Sequence, residues 1–160
     1  MSNFFELLNQ TPAFELNLEA LECEFIQAQK QAHPDNFMHI DGADLNNQHD
    51  LSALINQAYM TLRDPLKRAI YYLSLHNVLI DDSPMPLEFL MEQMDFRDTL
   101  EAANTPALKE SLQAIMRAKI EEQYDILKNL FLDNTCENLK LTVIVVKKLR
   151  FWTNIELHEK

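Results

Sequence analysis

The stretch "QAHPDNF", residues 31–37, sets a histidine, a proline and an aspartate in a row between two long segments of apolar periodicity. Upstream, Leu18, Leu21, Phe25, Ala28 and Ala32 recur at spacings of three and four, which is one face of a helix. Asn17 stands just before the first of them, where an N-cap belongs. Pro34 ends that helix, because the residue before a proline avoids the α region. A polar loop rich in Asn and Asp follows, roughly 35–46, and then Leu51, Leu54, Ile55, Ala58, Tyr59 and Leu62 mark a second amphipathic helix. "RDPLKRA" (63–69) breaks it at Pro65 and starts a short third helix with Leu66, Ile70 and Leu73 facing inward. The expected unit is a helical hairpin whose connection carries His33, Pro34 and Asp35.

Beyond it, "HNVLIDDSPMP" (76–86) combines two prolines with a pair of aspartates and reads as a boundary. Three more helices are expected at about 86–103, 106–132 and 136–158, and the short breaks between them favour antiparallel neighbours in a three-helix bundle. "TVIVV" (142–146) has strong strand propensity, but no second strand exists for it to pair with, so it is assigned to the last helix. The predicted fold is all-α, with domains at 1–75 and 84–160 joined by a linker at 76–83.

Composition narrows the function. The 160 residues include a single glycine, Gly42, and a phosphate-cradling loop or a tight primed hairpin needs more than that. The net charge of -11 argues against nucleic acid and anionic membrane as partners, since both are bound by clustered Lys and Arg. Lys140, Lys147, Lys148 and Arg150 gather near the C-terminus and read as a solvated helix face. Cys23 and Cys136 lie far apart within helical patterns and are expected as buried, reduced thiols. "MSNFFELLNQ" is neither a secretory signal nor an Arg-rich transit peptide, and no apolar run approaches membrane-spanning length. A cytoplasmic location is expected.

The tripeptide gains meaning from its setting. "INQAYMTLRDPLKRAIY" (55–71) follows it at a fixed distance, and the two together resemble the J-domain of the DnaJ co-chaperones. In that family His-Pro-Asp joins helices two and three, and helix three carries a segment of the form INxAYxxLxDPxxRAxY. Pro34 stiffens the corner, and Asp35 becomes an exposed acceptor suited to a bidentate arginine contact. The resemblance implies that His33, Pro34 and Asp35, with Lys30 beside them, engage an HscA/DnaK-type ATPase chaperone and speed its ATP hydrolysis. This chain would then break no bond itself. Two departures stand out: Asn36 occupies a position that is usually basic, and the preceding helix carries Glu19, Glu22 and Glu24. Steering toward an acidic chaperone surface is therefore weakened, which points to a dedicated partner.

A Gly/Phe-rich linker and CxxCxGxG modules, the usual sequel to a J-domain in a general co-chaperone, are missing. Instead "SLHNV" (74–78), "EFLMEQMDFRDTLEA" (88–102) and "VVKKLRFW" (145–152) follow, and the whole chain resembles the HscB family, J-type co-chaperones of iron–sulfur cluster assembly. That resemblance implies an L-shaped, two-domain protein without a cofactor or metal. It also implies a second partner, the scaffold protein IscU, bound through Leu90, Met91, Met94, Asp95 and Asp98, with Phe151 contributing. Ala102 falls where relatives often have an acid. The helical wheel speaks for a partner surface independently. Phe89, Phe96, Leu100 and Ala103 share one side, while Leu87, Leu90, Met91 and Met94, joined by Asp98 and Glu101, share nearly the opposite one. A bundle helix buries one stripe, so the second needs an occupant.

Two rival functions weigh less. As an acid–base pair, His33 and Asp35 would lack a walled pocket to shift their pKa values, and a loop metal site from His33, His39, Asp41 and His49 would need the loop to fold around the ion. A general J-domain co-chaperone delivering unfolded clients is the alternative within binding proteins; the "FLMEQMDF" helix argues against it.

Overall fold

The computed structural model describes residues 3–32, 45–81, 83–133 and 135–158, without the side chains of 45–50 and 156–158. Seven helices run α1 (Phe4–Leu7), α2 (Leu18–Gln31), α3 (Leu45–Arg63), α4 (Pro65–Leu75), α5 (Leu87–Ala102), α6 (Pro106–Leu130) and α7 (Cys136–His158). The fold is all-helical, with no strand among the described residues. The chain divides into two compact units, Met1–Tyr72 and Leu73–Lys160, so residues 76–83, expected as a linker, group with the second.

In the first unit, α2 starts where Asn17 accepts hydrogen bonds from the backbone N–H groups of Glu19 and Ala20. The α2–α3 pair is antiparallel, because numbering falls on one helix as it rises on the other: Phe25 stacks on Tyr59 at 4.2 Å, and Gln29 bonds Ser52 and Asn56. Leu21, Ile55, Ala58 and Leu62 are buried as their periodicity requires, although Leu18, Leu51 and Leu54 remain exposed. The turn at Pro65 is capped by Asp64, whose carboxylate accepts from the N–H groups of Leu66 and Lys67. Arg68 is buried with its guanidinium 5.4 Å over the Phe14 ring. The helix α1 was not anticipated. It is built by a capping box, Asn3 accepting from the Glu6 N–H while Glu6 accepts from the Asn3 N–H, and it packs on α3 with Phe5 buried.

The second unit is a three-helix bundle around one residue from each helix: Phe89 of α5, Met116 of α6 and Trp152 of α7. "TVIVV" is helical after all its strand propensity. Thr142, Val145, Val146, Leu149 and Trp152 are buried at helical spacing, and the Thr142 hydroxyl donates to the carbonyl of Asn138. Tertiary burial overrides local preference here. Thr105 caps α6 ahead of Pro106, a residue preorganised for a first turn. After α4, Asn77 takes φ 57° while the N–H groups of Asn77 and Val78 bond Ser74 and Leu73 carbonyls, a Schellman stop written in "SLHNV". Lys147 then ties the following strap to α7 through the Asp81 carboxylate and Ser83.

One expectation fails in both units. Cys23 and Cys136 are free thiols, but both are exposed rather than buried. Cys23 points away from the face of α2 that holds Leu21, and Cys136 opens the first turn of α7, before its buried stripe begins.

Candidate partner-docking sites

His33, Pro34 and Asp35 lie outside the described residues, as do the alternative loop ligands His39 and Asp41; His49 is described only by its backbone in α3. What the structure does place is the approach to the tripeptide. Lys30 sits exposed in the last turn of α2, favourably placed against the helix dipole, and Ala32 caps the helix while buried. Glu19 and Glu22 are exposed along the same helix, and Glu24 accepts a hydrogen bond from Asn9. The acidic surface read from the sequence is therefore real in this part of α2.

In α5 the two stripes separate. Phe89 and Ala103 are buried and Phe96 packs on the bundle core. Leu87, Leu90, Met91 and Met94 are 68%, 39%, 58% and 67% exposed, so this face is the one left to water. Asp95 and Asp98 are exposed beside it. Phe151 belongs only in part to this surface. It is half-buried against the core, edge-on to Phe89 at 5.8 Å and to Trp152 at 4.9 Å, with the Arg97 guanidinium 5.3 Å over its ring.

A feature absent from the sequence reading adjoins the stripe. An open groove of about 610 Å³ runs between α5 and α6, with Met91, Leu112 and Ile115 among its apolar walls and Glu88, Glu92 and Asp95 on its rim. Lys119 of α6 reaches across to form an ion pair with Glu92. Ile115 is 48% exposed, and that exposed apolar residue could be found only by knowing which face of α6 meets α5. Among the described residues no cluster of His, Cys, Asp and Glu is placed to hold a metal ion, and no helix is long and apolar enough to cross a membrane.

Residues 85–158, the bundle just described, match the family described as "HSCB C-terminal oligomerisation domain". Co-chaperone protein HscB homolog of Vibrio cholerae is 38% identical over 121 residues, covering 74% of this chain and 71% of its own length. The chain belongs to the HscB family. Iron-sulfur cluster co-chaperone protein HscB of Homo sapiens is 30% identical over 157 residues, which is 96% of this chain; the chain spans 66% of that relative's length. The crystal structure of human co-chaperone protein HscB superimposes with a TM-score of 0.88 at 27% identity, covering 99% of this chain and 80% of that one. In this HscB-family chain, both the α2–α3 hairpin and the three-helix bundle thus have counterparts in a relative named as a co-chaperone.

Proposed function

We propose that this chain is an adaptor co-chaperone of iron–sulfur cluster assembly. Its first unit, a J-domain, docks on an HscA/DnaK-type chaperone through His33, Pro34, Asp35 and Lys30 and stimulates the chaperone's ATPase. Its second unit carries the iron–sulfur scaffold protein IscU on Leu90, Met91, Met94, Asp95 and Asp98, with the exposed part of Phe151 at the edge. Delivery works by tethering: holding both proteins on one chain raises their effective concentration for each other.

The observation that carries this reading is the uncovered stripe of α5. Four apolar side chains, Leu87, Leu90, Met91 and Met94, stand in water on a helix whose opposite side already supplies the bundle core. Methionine surfaces of this kind adapt to a partner's shape, and the flanking carboxylates select its charge. The family membership supports the pairing of that stripe with a chaperone-binding hairpin.

Two variants test the division of labour. His33→Gln should abolish stimulation of the chaperone's steady-state ATPase while scaffold binding, followed by calorimetry, persists. Replacement of Leu90, Met91 and Met94 by alanine should do the reverse. Both losses appearing together in either folded variant would refute the proposal, and so would equal affinity for unfolded client peptides and the folded scaffold.

A further inference from the structure

The α5 stripe is one side of a larger surface. Met91 of the stripe and Asp95 beside it also line the groove between α5 and α6, so the two features are continuous. We propose that this groove seats a second segment of the same scaffold protein, one presenting an apolar ridge flanked by Lys or Arg. This deepens the scaffold-binding reading and rests on it.

Shape sets the first requirement. About 610 Å³ accommodates several side chains but not a helix 10–12 Å across, so an occupant must lie along the opening and insert a row of residues. The walls that row would meet are apolar and wet, Ile115 at 48% and Met91 at 58% exposure, and covering them removes apolar area from water. Charge sets the second. Helix α5 carries Glu88, Glu92, Asp95, Asp98 and Glu101 against Arg97 alone. Arg97 is engaged over the Phe151 ring, and Lys119 is engaged with Glu92. The field at the groove is therefore negative, which attracts a basic segment.

The experiment is calorimetric titration of purified IscU-type scaffold protein onto the full chain at low and moderate ionic strength. Ile115→Ser, at a half-exposed site, should weaken binding about tenfold. Glu88→Lys should weaken it severalfold and flatten its salt dependence, while Glu121→Lys, the same charge change on exposed α6 surface outside the groove, should alter affinity less than about twofold. Circular dichroism confirms that each variant folds. Unchanged binding by Ile115→Ser and Glu88→Lys, with binding lost on replacing Leu90, Met91 and Met94, would overturn the groove assignment and leave the scaffold role standing. Unchanged binding by all three would overturn the scaffold role itself. Sedimentation supplies the last outcome: a dimer of the wild type that Ile115→Ser dissolves would put a second copy in the groove and overturn the proposal.

Discussion

Replacing Phe89 with alanine tests the assignment of the two α5 faces. Phe89 is 3% exposed, meets Phe151 and Trp152 edge-on at 5.8 and 6.1 Å, and has the Lys148 ammonium 5.3 Å over its ring. Truncating a buried phenylalanine costs about 3–5 kcal/mol through lost transfer energy and the cavity left behind, and edge-to-face pairing adds weight toward the upper end. For a unit of this size that corresponds to a fall in melting temperature of roughly 15–30 °C. Met91, two positions along the same helix and 58% exposed, is the internal control: Met91→Ala should change stability by less than about 0.5 kcal/mol. Trp152 is the chain's single tryptophan and sits in the bundle core, so its fluorescence reports the second unit while far-UV circular dichroism reports helix throughout. Urea unfolding followed by both signals separates the units' transitions. Equal destabilisation by the two substitutions would refute the argument, since the face offered to a partner would then be part of the core.

Elsewhere, smaller effects are expected. Asn17→Ala removes the acceptor for two backbone N–H groups at the start of α2 and should cost about 1 kcal/mol, with Asn17→Asp restoring most of it, as measured by urea midpoints. The Asp81 carboxyl is held below its ordinary value of 3.8 by the Ser83 hydroxyl first and the Lys147 ammonium second. A depressed folded pKa contributes stability that is present above that ordinary value and lost as pH falls through the folded one. Ser83→Ala and Lys147→Gln should each move the Asp81 titration, followed by NMR, back up toward 3.8; an unmoved titration in both would show that these contacts do not hold it.

How far the sequence could be read depended on whether neighbours in sequence or neighbours in space decided the matter. Asn17 at the head of α2 and the break at Pro65 are local chemistry, and both are in the structure; "TVIVV" has the local preference of a strand, is assigned to a helix only for want of a partner strand, and lies in α7. The capping box "NFFE" (3–6) was equally local; it was missed because a four-residue helix has no apolar period to draw attention. The cysteines were misjudged for a different reason. Burial was inferred from residue type, whereas exposure depends on which side of α2 faces α3 and on where the buried stripe of α7 starts. The groove was out of reach for the same cause: Ile115 and Met91 lie 24 positions apart, and only the packing of α6 beside α5 makes them walls of one opening.

The same distinction explains why α5 is the informative helix. On an ordinary bundle helix the apolar stripe is spent on the core and the rest turns polar. On α5 the core is secured by Phe89, Phe96 and Ala103, large or closely packed, while the outer face uses leucine and methionine set among carboxylates. If that outer face served the stability of the bundle, its residues would be covered, as Met116 and Leu149 are. Being flexible, exposed and set among carboxylates, they suit the basic partner proposed for them. The adaptor role proposed above would require this combination: a surface apolar enough to bind and charged enough to choose, on a helix whose opposite face secures the fold without the cargo.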